Sequence, residues 1–241
     1  MNERLNIAMW SGPRNLSTAL MRSFANREDV ISVLDEPLYA AYLTSTGKGH
    51  PMRDEVISSQ HTNPDEVAKI CTQSKGRGIC YQKHMVQHLH NTFNSQWILQ
   101  LTNCFLIRNP EEVVDSFLLK LPDAKFEDFG FDQQLNIFNL VSSNMKATPL
   151  VIDATELRND PENVLKKACD RLSISWDSKM LEWKSGLRDY DGVWAPHWYP
   201  SVESSTCFKK YKKSTNTFST KVKSIIDKAM PGYEKLSAFK I

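Results

Sequence analysis

Apolar residues in this chain fall into short continuous runs, separated by segments in which they recur every three or four positions. Five runs stand out: residues 5–10, Val30–Leu34, Gly78–Gln82, Asn103–Ile107 and Pro149–Asp153. Short runs without polar alternation read as strands buried on both faces. The segments between them predict helices over 15–26, 64–74, 84–93, from 110 onward, over 132–146 and over 161–172. Three of these open on sharp start signals: Pro64-Asp65-Glu66, Asn109-Pro110-Glu111-Glu112 and Asp160-Pro161-Glu162. Asn or Asp caps free N–H groups, Pro suits the first helical position, and acids favour the positive end of the helix. Strands alternating with helices predict an α/β fold: a parallel sheet of about five strands flanked by helices on both faces, in one domain over 1–241. Residues 44–63, punctuated by Gly47, Gly49 and Pro51, read as an irregular, mobile segment. From about 186 the pattern breaks into an aromatic, Pro-containing stretch and a Lys-rich tail with one helix near 217–229.

Composition narrows the class. A chain of 241 residues buries a sizeable core without staples. It has no apolar run of about 18 residues, so no membrane span is expected. Met1-Asn2-Glu3-Arg4 leads straight into the first strand, which leaves no room for a signal peptide. The five cysteines (Cys71, Cys80, Cys104, Cys169 and Cys207) form no C-x-x-C pair. Reduced, buried thiols in a cytoplasmic setting and no metal site are therefore expected. A net charge of +2 does not argue for nucleic acid as a partner. Lys209, Lys210, Lys212 and Lys213 read as a solvated basic face.

The chemistry concentrates after the first strand, in Ser11-Gly12-Pro13-Arg14-Asn15-Leu16-Ser17-Thr18. A turn feeding a helix N-terminus presents several N–H groups to an anion, and the helix dipole adds favourable potential. Gly12 lets the backbone approach closely, Pro13 shapes the turn, and Ser17 and Thr18 offer hydroxyls. The nucleoside triphosphatase pattern G-x-x-x-x-G-K-[ST] is not met, because the second Gly and the Lys are missing. Arg14 is the cation instead.

This loop resembles the 5′-phosphosulfate loop of sulfotransferases that use 3′-phosphoadenosine 5′-phosphosulfate (PAPS), a family with a P-loop-type fold. The resemblance assigns Gly12, Pro13, Arg14, Asn15, Leu16, Ser17 and Thr18 to the donor, with Arg14 as the cation and Ser17 and Thr18 as hydroxyl donors. Asn15-Leu16 stands where the family commonly has Ser-Gly. A second stretch, Phe105-Leu106-Ile107-Arg108 through Ser116, is similar to the family's 3′-phosphate element, in which an Arg ends a strand and a Ser follows eight residues on. Here those are Arg108 and Ser116. Val151–Leu157 followed by Asp160-Pro161 resembles the family's later strand.

The resemblance implies sulfuryl transfer from PAPS to a hydroxyl or amine of a small metabolite, with no metal, no nucleic acid and no membrane partner. Two residues compete for the base. Glu36, in Asp35-Glu36-Pro37 at the end of the second strand, resembles the catalytic Glu of protein-tyrosine sulfotransferases, and Asp35 is an alternative. His84 is similar to the base of cytosolic sulfotransferases, where a strand ends in K-x-H and the Lys touches the transferring group. Lys83 would take that second role, although Lys83 and His84 are adjacent here and their side chains diverge. His88, one helical turn beyond His84 if that helix forms, makes a metal pair with no evident third ligand. The aromatic cluster Trp183, Trp194, His197, Trp198 and Tyr199 reads equally as a lid over a cleft or as packing under a long loop. Two other functions fit the residues: a Mg-dependent kinase of a small metabolite, against which the missing Lys argues, and a non-catalytic nucleotide-binding module.

Overall fold

The five apolar runs form one parallel sheet. In the computed structural model, which describes residues 4–210 and 218–241, the strands are β1 (Arg4–Ser11), β2 (Val30–Asp35), β3 (Gly78–Met85), β4 (Thr102–Ile107) and β5 (Leu150–Asp153). Their order across the sheet is β2-β3-β1-β4-β5, with every pairing parallel. Central β1 is therefore flanked by strands reached through different crossovers. The crevice beyond its C-terminal end is where α/β sheets bind ligands.

Helices cover both faces. On one, Ile7, Met9, Cys104 and Leu106 pack against Leu20 and Phe24 of α1 (Ser17–Ala25). On the other, Ala8, Trp10, Phe105 and Ile107 meet residues of two later helices, Val67 and Ile137 among them. Each such fully buried aliphatic or Phe side chain contributes about 1.5–3 kcal/mol. The remaining helices are α2 (Tyr39–Thr46), α3 (Arg53–Ser59), α4 (Pro64–Cys71), α5 (Pro110–Leu118), α6 (Phe131–Asn144), α7 (Ala154–Asn159), α8 (Pro161–Leu172), α9 (Ala195–Trp198), α10 (Pro200–Glu203) and α11 (Thr220–Ser237). Cys71, Cys80, Cys104 and Cys169 are buried free thiols, and Cys207 is an exposed one.

Four expectations from the sequence are corrected. The segment 44–63 is half helical: α2 ends at Gly47, whose left-handed φ of 66° closes it, and α3 is anchored by fully buried Val56. The helix expected over 84–93 does not form. β3 instead continues to Met85 because β1 pairs with it through Ser11, and only a short 3-10 turn, Val86–His88, follows. The aromatic stretch beyond 186 contains α9 and α10. The last helix passes through Pro231 to Ser237, because Ile226, Ala229 and Leu236 bury a continuous face that outweighs one lost hydrogen bond.

Candidate active site

The loop joining β1 to α1 is held in an unusual backbone conformation. Arg14 and Leu16 have φ of 62° and 71°, in the left-handed region. A residue with a Cβ pays about 1–2 kcal/mol there. Leu16 thus takes, with strain, the conformation a glycine would adopt freely. Such strain persists where surrounding packing fixes it, and it gathers at functional sites. Asn15 supplies part of that packing: it is buried, and its Nδ2 donates to the carbonyl of Leu106 on β4 at 3.2 Å. Gly12 is needed for space, since a Cβ there would lie 2.9 Å from the Phe129 carbonyl oxygen. No side chain caps α1, whereas Asn109, Asp153 and Asp160 cap α5, α7 and α8. The first turn of α1 therefore has no side-chain cap on its N–H groups.

The two sequence motifs meet directly. Arg14 Nε donates to Ser116 Oγ at 3.0 Å. Arg108, from the end of β4, donates through Nη1 to the Arg14 carbonyl at 2.7 Å and through Nε to Glu112 at 2.8 Å. Thr155 of α7 donates to the same Glu112 carboxylate at 3.3 Å. Burial, and then the nearby Arg108 charge, push the Arg14 pKa below the usual guanidinium range. Two partly buried cations on one wall repel each other, and an anion between them relieves that repulsion.

A carboxylate–lysine cluster faces this wall. Lys83 of β3 is 1% exposed and donates to Asp35 Oδ1 at 2.9 Å, to Glu36 Oε1 and to Tyr199 OH at 2.6 Å. Tyr199 OH also lies 2.9 Å from Asp35 and accepts from Trp194 Nε1 at 2.9 Å. Burial opposes the Lys83 charge, but Asp35 and Glu36 hold its pKa above the usual range. Burial pushes the Glu36 pKa up, Lys83 opposes that rise, and Asp35 adds to it. Glu36 itself has a left-handed φ of 45°. Gln60, just after α3, donates to its carbonyl at 3.2 Å. The strained turn carries the carboxylate out of β2 and into the crevice. A cavity of about 490 Å³ joins the two walls, lined by Arg14, Ser17, Thr18, Arg108 and Ser116 on one side and by Glu36, Lys83, Tyr39, His88 and Tyr199 on the other.

The sulfotransferase domain family's sequence profile matches residues 5–239 of this chain. The chain belongs to the sulfotransferase domain family. Two curated relatives in Arabidopsis thaliana, branched-chain-amino-acid aminotransferase-like proteins 1 and 2, are 39% and 37% identical over 231 residues. Each match takes in 95% of this chain but 41% of the relative, so the chain spans less than half the length of the curated proteins it matches. Among solved structures, the sulfotransferase domain of the Synechococcus PCC 7002 olefin synthase superposes with a TM-score of 0.58 at 16% identity, covering 94% of each chain. The sulfotransferase domain from the curacin biosynthetic pathway gives 0.58 at 13% identity, over 95% of this chain and 99% of that one. At such identities the likeness establishes the shared fold.

Within this sulfotransferase domain, most residues singled out in the sequence converge. Pro13, Arg14, Asn15, Leu16, Ser17, Thr18, Glu36, Lys83, Arg108 and Ser116 line the cavity, and Gly12 lies behind it against Phe129. His84 is elsewhere. β3 remains extended through 83 and 84, so the two side chains leave opposite faces of the sheet. The His84 ring stacks on Trp10 at 4.3 Å, its Nε2 lies 3.1 Å from Gln82 Oε1, and burial drives its pKa down to about 3. The strand also removes the helical spacing that would have paired His84 with His88. Among the described residues no group of three or more His, Cys, Asp or Glu side chains could hold a metal ion. No helix there is long and apolar enough to cross a membrane. Lys209 and Lys210 are exposed, with Lys209 at the cavity rim. Lys212 and Lys213 lie outside the described residues. Tyr199 and its partner Trp194 come from the aromatic cluster, which read equally as a lid or as packing under a loop and singled out no contact; both are buried in the core. Arg22 was not anticipated: it is buried in α1 and bound bidentately by Asp191 at 2.6 Å.

Proposed function

We propose that this chain transfers a sulfuryl group from PAPS to a hydroxyl or amine of a small-molecule acceptor. The reading rests on one observation: two guanidiniums and three hydroxyls share a cavity with a buried carboxylate on the opposite wall. The residues present fit the donor. The uncapped N-terminus of α1, with Ser17 and Thr18, suits the 5′-phosphosulfate, and Arg108 and Ser116 suit the 3′-phosphate. The proximity of the Arg14 and Arg108 charges, which lowers the Arg14 pKa after burial does, supports an anion at this wall. When bound, PAPS supplies an activated sulfuryl group on a phosphate leaving group.

The chain's own residues account for the rest. Glu36 takes the proton from the acceptor hydroxyl or amine as the new bond to sulfur forms. The bond between sulfur and the 5′-phosphate oxygen breaks in line with it. Arg14 and the α1 N–H groups stabilise the charge that builds on the leaving phosphate. Lys83 holds one Glu36 oxygen in place. That tether divides its role from the clamp on the transferring group that the family resemblance implies, because its ammonium is already held by two carboxylates and a phenol.

Thermal unfolding with ligands tests the reading. Saturating 3′,5′-ADP should raise Tm, because a ligand at about 100 times its Kd adds about 2.7 kcal/mol. Stabilisation by Mg-ATP alone would overturn the proposal in favour of a kinase. Stabilisation by 3′,5′-ADP with no sulfation across a broad set of hydroxyl and amine acceptors would leave a binding module.

A further inference from the structure

His88 is buried beside the base, and the transfer steps above leave it without a task. It ends the 3-10 turn after β3 and lines the same cavity as Glu36. Its ring is stacked on Tyr39 at 4.3 Å with an interplanar angle of 11°, and on Tyr42 at 4.9 Å with 28°. The two tyrosines stand three residues apart on α2 and so share a helix face. Turning the imidazole would break both stacks, so its orientation is fixed.

In that orientation Nδ1 is buried without a hydrogen-bond partner and lies 3.7 Å from Glu36 Oε2. The other Glu36 oxygen is already occupied by Lys83 and Tyr199. Buried polar atoms are nearly always paired, and an unpaired one at an active site calls for an explanation. The separation exceeds an ordinary N–H···O bond by about 0.8 Å, so the bond forms only when the Glu36 carboxylate swings toward the fixed ring.

We propose that His88 is a positioning residue for Glu36: neutral, protonated on Nδ1, it donates to Oε2 and aims the carboxylate at the acceptor. This rests on the sulfuryl-transfer reading only for its catalytic consequence. His88 keeps its proton throughout. The acceptor's proton goes to a remaining lone pair of Glu36, since a carboxylate offers about four such sites. Burial keeps the imidazole neutral, and the cations and histidines around it (His50, Lys83, His84 and Lys48) act in the same direction. Which nitrogen of a neutral imidazole holds the proton is set by its hydrogen-bond partner, and the facing carboxylate selects Nδ1–H.

Two experiments on the full chain test this. Long-range ¹H–¹⁵N spectra of histidine-labelled protein report the tautomer, with the His88 signal assigned by its loss in His88→Asn. Nδ1–H is expected in the unmutated chain, with a shift toward Nε2–H in Glu36→Gln, whose amide can donate to Nδ1. An Nε2–H tautomer that Glu36→Gln leaves unchanged overturns the proposal, whether or not the chain transfers sulfate. In kinetics, His88→Asn puts an amide N–H close to the lost Nδ1–H, and kcat should stay within about threefold. His88→Leu should lose about 10–100-fold in kcat, part of the about 10²–10⁴ a positioned base contributes. The KM for PAPS and the 3′,5′-ADP thermal shift should not change in either variant. Equal kcat in the Asn and Leu variants also overturns the proposal. If the unmutated chain sulfates nothing, the transfer reading fails and the spectra alone decide the role of His88.

Discussion

Arg14 and Glu36 line one cavity, and the proposed sulfuryl transfer gives them different duties, so their variants should fail differently. Arg14→Ala removes a cation from the donor wall. Both 3′,5′-ADP affinity and kcat should fall, the latter by about 10²–10³-fold, the scale of one preorganised donor to a developing anion. Glu36→Gln keeps the shape of the side chain but cannot take a proton. It should lower kcat by about 10²–10⁴-fold with 3′,5′-ADP affinity unchanged. Equal effects of both variants on donor affinity, measured by calorimetry, would contradict this division. The positions of Arg14, Ser17, Thr18, Arg108 and Ser116 were legible in the sequence because strand-to-helix turns place them by local geometry. Adjacency alone makes the Lys83 and His84 side chains diverge, but it does not say which of them faces the cavity. Once the strand runs to Met85, its two-residue period sends one side chain to the cavity and the other to the core.

At the level of elements, the site depends on a clasp between distant parts of the chain. Arg22 of α1 and Asp191 form a bidentate pair with side chains 1% and 3% exposed. The residue after Asp191, Gly192, donates its N–H to Asp35 Oδ2 at 3.1 Å. This clasp ties the stretch carrying Trp194 and Tyr199 to α1, the helix that follows the β1–α1 loop. Asp191→Ala leaves Arg22 buried and uncompensated, and should cost about 3–5 kcal/mol in urea unfolding. Removing both charges with Arg22→Met in the Asp191→Ala background should recover part of the loss, and a double variant as unstable as the single one would contradict the argument. Strands and capped helices were readable because their signals are local: Asn109-Pro110 and Asp160-Pro161 start α5 and α8 as written. The helices α2 and α3 were missed because Gly47 and Pro51 look like loop punctuation. Their stability comes from burial of Tyr39, Leu43 and Val56 against the rest of the fold.

Over the whole molecule, buried histidines make stability depend on pH. His84 is pushed down to about 3 and His88 well below its ordinary value, both chiefly by burial. The unfolded chain binds protons at these sites near pH 6.5, and the folded chain does not. Stability from each is therefore complete above about 6.5 and is lost as pH falls toward the folded value, by up to about 1.4 kcal/mol per pH unit per proton. His84→Phe preserves the stack on Trp10 and removes one such group. Its urea-unfolding free energy should fall less steeply than that of the unmutated chain between pH 6.5 and 4, and parallel curves would refute the assignment. Its turnover should persist, since that ring lies on the sheet face away from the cavity. The sequence alone determined the alternation of strands and helices, the tight turn after the first strand and the second basic motif, because each is written within a dozen contiguous residues. Only the tertiary structure decided that Arg14 meets Ser116, that Lys83 is tethered between Asp35, Glu36 and Tyr199, and that His88 rather than His84 stands beside the carboxylate. Those contacts join residues from about 50 to more than 110 positions apart, and such distances are closed by sheet order and core packing, which no local pattern encodes.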